Sequence, residues 1–241
     1  MSVGEAGPAS AHLLGELSVL SSSGVGLDLL DPEAETALAE LGARSLVAFS
    51  RDDTTAFVHR LVRRAVRDQA ERDRTLAAMI ETAARRLLVA AEVVTDEDTW
   101  RKFPTIMAVA DHATALWEAV EQFPDDESAQ IRAAAEVVLR VRQVVANHLI
   151  YLNDQVRAFP IAEAVVTGRE KFLGAEHPDT LTALHNLAHA AAYEAAGRTA
   201  DAVAEYEWVA NRFEAVMGPE QTLTKTARDN LERARRSLQR R

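Results

Sequence analysis

His185 and His189 stand four residues apart in a stretch whose apolar residues keep helical spacing, so both imidazoles fall on one helical face. That is the spacing of a two-histidine metal site. A zinc hydrolase would also place a glutamate after the first histidine as general base, and Asn186 stands there instead. His177 and Asp179 are the nearby candidates for a third ligand, and no spacing assigns either. The plainer reading of the pair is a polar helix surface, and no metal or cofactor is expected. His59 follows the run Thr55-Ala56-Phe57-Val58 and opens a helix carrying Arg60, Arg63, Arg64 and Arg67. Without a companion phosphate pocket, such a histidine reads as a cap on a strand–helix junction. The arginines form a stripe beside Leu61, Val62 and Val66, which is either a phosphate-binding face or the solvated side of a packed helix.

Other chemistries lack their parts. No Gly-x-x-x-x-Gly-Lys-Ser/Thr loop and no Gly-x-Ser-x-Gly elbow occurs, and Gly24-Val25-Gly26 has Leu29 where a dinucleotide fingerprint needs its third glycine. The absence of cysteine removes disulfides, thiolate zinc sites and cysteine nucleophiles. A net charge of −10 argues against nucleic acid as the partner of the whole chain, although a local basic face survives that average. The acidic cluster Asp125-Asp126-Glu127 reads as the capped start of a helix. Trp100, Trp117 and Trp208 read as core rather than as a ligand cage. No apolar run reaches membrane-spanning length and no signal segment opens the chain, so a cytoplasmic address and no membrane partner are expected.

The elements that must position these residues are mostly helical, as an alanine-rich chain with 5% aromatics suggests. Residues 1–9 read as a disordered lead-in. Leu13, Leu14, Leu17 and Leu20 mark a first helix, stopped by Ser21-Ser22-Ser23-Gly24. Asp31-Pro32-Glu33 predicts a second helix, with Asp31 as N-cap and Pro32 at its first position, ending at Gly42. Leu46–Phe49 and Thr55–Val58 flank a polar turn and predict a β-hairpin. From Arg60 to Val94 the period holds for one long helix or two. Thr95-Asp96-Glu97-Asp98 and the acidic cluster are the next breaks.

The C-terminal half repeats. Phe172-Leu173-Gly174-Ala175-Glu176 matches Val216-Met217-Gly218-Pro219-Glu220, and His185-Asn186-Leu187 matches Asp229-Asn230-Leu231. Arg157-Ala158 matches Asp201-Ala202, and every pair is 44 residues apart. A fixed period of this size in helical sequence predicts stacked helix–turn–helix units. Leu173-Gly174-Ala175-Glu176-His177-Pro178-Asp179-Thr180-Leu181, with Asn186-Leu187-Ala188 and Gly197-Arg198, resembles the tetratricopeptide repeat of the kinesin-light-chain type. The stretch from Asn186 to Gly197 is longer than in that family, and the second copy lacks His-Pro-Asp-Thr. His12-Leu13-Leu14, Leu27-Asp28-Leu29-Leu30, Ala37–Leu41, Ser45-Leu46-Val47 and Phe57–Val62 resemble the winged helix of bacterial NB-ARC/STAND regulators. In those regulators the histidine matching His59 faces a bound nucleotide. Here that resemblance implies at most a vestigial sensor, since the phosphate loop is missing.

Together these readings predict a mainly α fold: a winged-helix-like domain with one β-hairpin at 10–70, then degenerate repeats and a C-terminal capping helix at 71–241, arranged as an α-α superhelix. The expected function is non-catalytic recognition of a peptide or protein in the repeat groove, through His185, Asn186, His189 and Asn230. One alternative is a regulator acting in trans, through the winged helix, on a separate NTPase or transcription factor. Another is a small-molecule or metal-dependent enzyme with an interhelical cavity. The oligomeric state is left open.

Overall fold

The computed structural model describes residues 7–95, 97–123, 128–194 and 199–239; the side chains of 185, 188–194, 199–202, 204, 205, 223, 234, 237 and 238 are not among those described. The sequence-read features at residues 1–6, Asp96, Asp125-Asp126-Glu127 and Gly197-Arg198 therefore lie outside the described residues. The chain divides into two compact units, Met1–Val141 and Arg142–Arg241. It is mainly helical, with a small three-stranded antiparallel sheet.

The first unit is built around α1 (Pro8–Val19). Its Leu13, Leu14, Leu17 and Val19 are buried together with Ser10, and Glu16 and Ser18, which flank the leucine face on opposite sides, are buried as well. A helix covered all round must have neighbours on every face. These are α2 (Ala34–Ala43), α3 (Arg60–Arg72), α4 (Leu76–Glu92) and α5 (Phe103–Glu121). Gly15 permits the approach of α4, because a Cβ there would lie 3.2 Å from Met79 Cε. The helix begins at Pro8, so Pro8 and Ala9 belong to its first turn.

The expected hairpin is β2 (Val47–Phe49) with β3 (Thr55–Val58), pairing Val47 with Val58 and Phe49 with Ala56. A third strand, β1 (Val25–Gly26), pairs on the other side of β3, so the order is β1-β3-β2 and not a hairpin alone. Two residues carry no readable period, which is why this strand is invisible in the sequence. Gly24 leads into it at φ +94, and a Cβ there would meet Phe57 Cε1 at 2.5 Å, so both conformation and space require glycine.

Asp31 does not cap α2. That helix starts at Ala34 with no side-chain cap, and the Asp31 carboxylate pairs with Arg86 of α4. A half-buried guanidinium offers this carboxylate more than the orphan amides at an exposed helix start do. Between Arg60 and Val94 there are two helices. Arg74, at φ 57, breaks the run, and the Thr75 amide donates to Ala70 O at 2.8 Å, closing the end of α3. Trp100 departs from the core expectation: it precedes α5 and is 72% exposed. Trp117 is buried, with its indole N–H donating to Glu121 at 2.9 Å.

The division between units falls within α6 (Ala129–Tyr151). The second unit continues with α7 (Gln155–Leu173), α8 (Pro178–Glu194), α9 (Thr199–Met217) and α10 (Thr222–Gln239). The 44-residue period reappears as geometry. Gly174 and Gly218 end α7 and α9 at φ +93 and +84. The Thr180 hydroxyl donates to Gly174 O at 2.8 Å, and the Thr224 hydroxyl to Gly218 O at 2.9 Å. Thr182 and Thr226 each donate to the carbonyl four residues earlier at 2.9 Å. Val165 and Val209, and Ala183 and Ala227, are buried at matching positions. Each hairpin thus closes its turn with the same hydroxyl. Replacing Thr180 or Thr224 by valine keeps the shape and leaves a carbonyl without its donor, so each variant is expected to lose about 1–2 kcal/mol in urea denaturation.

Candidate functional site

Of the repeat residues singled out by sequence, Asn186 lies on α8 and Asn230 on α10, both half-buried. The Asn230 side-chain Oδ1 accepts from Arg233 Nη2 at 2.7 Å. His185 and His189 also lie on α8, but their side chains are outside the described set. His177 Nδ1 accepts from the Asp179 amide at 3.2 Å, so this imidazole caps the start of α8. Among the described residues, no group of three or more His, Asp or Glu side chains is arranged to hold a metal ion. Arg169 is buried and donates to Asp179 O at 2.7 Å, which ties α7 to the start of α8. Its equivalent 44 residues on is Phe213, at the centre of the apolar cluster of the unit.

His59 plays the same part as His177. Its Nδ1 accepts from the Leu61 amide at 3.3 Å and caps α3, and its ring is exposed. Beside it, Phe57 and Leu61 are exposed apolar side chains, Leu61 at 64%. The four arginines do not act as one face. Arg60 and Arg64 are exposed, and Arg64 faces Asp68 at 3.7 Å. Arg67 reaches Gln122 at 3.4 Å. Arg63 turns inward and donates to Leu20 O at 2.8 Å and Ser21 O at 2.9 Å, capping the C-terminal end of α1. Burial, and then the charge of Arg67, lower its proton affinity. A cleft of about 350 Å³ opens here, walled by Ser21, Ser22, Arg63, Arg67, Thr114 and Glu118.

Two polar clusters in this unit escape sequence reading. Arg86 Nε donates to Glu16 at 2.7 Å while its Nη1 pairs with Asp31. Burial opposes the Arg86 charge, but hydrogen bonds and the charges of Glu16 and then Asp31 outweigh it and hold the guanidinium protonated. His12 adds to the Glu16 carboxylate at 3.2 Å from an exposed position. The second cluster is His112 of α5, 1% exposed, whose Nδ1 accepts from the Ser21 amide at 3.2 Å. Partners 91 residues apart leave no periodic trace, so no local signal could have found this contact.

No protein-family model matches the chain, and no curated protein is detectably similar to it. Among the described residues, no helix is long and apolar enough to cross a membrane.

Proposed function

We propose that this chain is a non-catalytic cytoplasmic interaction and regulatory module, holding a peptide or helix of a protein partner against the successive helix faces of α7–α10. The observation that carries this reading is the recurrence of one closed helical hairpin 44 residues on, with the same glycine, threonine and buried valine in each copy. Repeated hairpins bury one face against each other and leave equivalent outer faces in register, which suits an extended partner segment. Asn186 and Asn230, at equivalent half-buried positions, provide paired amide donors and acceptors on that surface. His185 and His189 belong to the same proposed surface.

The test is affinity capture from native cytosol with wild type and with His185→Ala/Asn186→Ala. The double variant is expected to keep its circular dichroism and to bind the captured partner roughly tenfold more weakly, the size of a modest hot spot. Undiminished capture would reject the groove assignment. A second reading has one observation in its favour, the exposed pair Phe57 and Leu61 flanking His59. There the winged-helix-like part docks a separate NTPase or transcription factor, and Leu61→Lys rather than the groove variant abolishes capture.

A further inference from the structure

The turn after α1 is held from two sides. Arg63 of α3 donates twice to its carbonyls, at Leu20 and Ser21, and His112 of α5 accepts the Ser21 amide. This turn leads directly into β1, whose two residues pair with Ala56 and Thr55 of β3. So short a strand has little pairing of its own, and its place depends on how the turn is anchored.

The imidazole is committed to one form. With Nδ1 accepting, the ring is neutral and carries its proton on Nε2, and Nε2 is buried with no hydrogen-bond partner. A second proton at Nδ1 would set donor against donor at the Ser21 amide, on a ring that is 1% exposed. We propose that the Arg63–Ser21–His112 clamp is an acid-released latch: protonation of His112 cancels its bond to the Ser21 amide and frees the turn from Leu20 to Gly24, together with β1.

The surroundings fix the sign. Burial is the strongest influence on His112 and lowers its affinity for a proton; Asp111, on its own helix, works the other way; Arg63 adds to the lowering. From the end of α1 comes the backbone at Leu20 and Ser21, which does not titrate. On α4, the inward cation Arg86 is engaged by Glu16 and Asp31. The net result is a fall from 6.5 to about 4. A group whose folded value is depressed contributes its stability fully above the unfolded value. The latch is therefore closed above pH 6.5 and weakens progressively as the pH falls towards 4. Release stays local because Leu13, Leu14 and Leu17 keep the rest of α1 in the core. What it uncovers is the edge of β3, a free row of backbone donors and acceptors.

Hydrogen exchange read by mass spectrometry, corrected for the intrinsic pH dependence of exchange, tests this on the full chain. Between about pH 7 and pH 4.5, protection of the peptide covering residues 20–26 is expected to fall about tenfold or more, while α4 and α5 hold theirs. His112→Asn keeps an acceptor near the Nδ1 position and does not titrate, so its protection should be flat over the same range. Loss of protection from the whole unit together would overturn the latch, and so would the same pH profile in His112→Asn. Should that variant fold poorly, the wild-type ring supplies the check. With the series carried below about pH 4, the fall in protection at residues 20–26 must level off at the midpoint of the folded ring's imidazole titration by NMR, and a mismatch overturns the proposal.

Discussion

Replacing Arg86 by leucine is expected to destabilise the first unit by about 3–5 kcal/mol, because it strands a buried carboxylate. The side chain of Glu16 is only 3% exposed, and Arg86 is its main cationic partner. His12 remains at 3.2 Å, but from a largely exposed position, where screening weakens it. The pair itself contributes little beyond its own desolvation. Glu16→Leu combined with Arg86→Leu is therefore expected to regain most of the loss, since hydrocarbon can fill the same space without an orphan charge. Urea denaturation followed by tryptophan fluorescence, to which the buried Trp117 contributes, reads these variants, and with Glu16→Leu alone as the third it gives the coupling energy. A single variant as stable as wild type would show that Glu16 finds water. Additive losses in the double variant would show that the two side chains act separately.

The second large effect lies in the other unit. Phe213 is fully buried among Val165, Val166, Leu184, Leu187 and Val209, so Phe213→Ala should cost about 3–5 kcal/mol through lost transfer energy and the cavity left behind. Its position makes it irreplaceable by its counterpart. The equivalent residue in the preceding hairpin is Arg169, whose head group is bonded to Asp179 O and cannot fill an apolar space. The expected readout is a lowered urea midpoint, with amide protection lost from α7 to α10. A loss below about 1 kcal/mol would mean that neighbouring side chains collapse into the gap.

What the sequence made legible was local in origin. The helices, the β2–β3 hairpin and the 44-residue period could be read because each leaves a repeated spacing. The repeat paired Gly174 with Gly218, and the structure puts both at helix ends, where a left-handed backbone favours glycine. The arginines of α3 were visible as a stripe, but spacing gives no hint that Arg63 turns away from solvent to bond the end of α1. Asp31-Pro32-Glu33 has the chemistry of a helix start, and a cation from a helix 55 residues on claimed the carboxylate. Trp100 shows the opposite failure: a large aromatic ring predicts burial by type, yet its position in the turn before α5 leaves it in water. The candidate groove lies between these cases. Its register follows from the repeat, while the identity of what it holds is a matter of partner chemistry that no spacing encodes.

The all-round burial of α1 also orders events in time. As the chain leaves the ribosome, Leu13, Leu14 and Leu17 emerge with only part of their cover until α4 and α5 have been made, about a hundred residues later. During that interval the helix is a sticky, incomplete surface, suited to a holding chaperone and vulnerable to association between nascent chains. The hairpins of the second unit need only their immediate neighbours and can close as they appear. The earlier-made half is thus expected to finish slowly for its length, with the return of distant helices to α1 setting its pace.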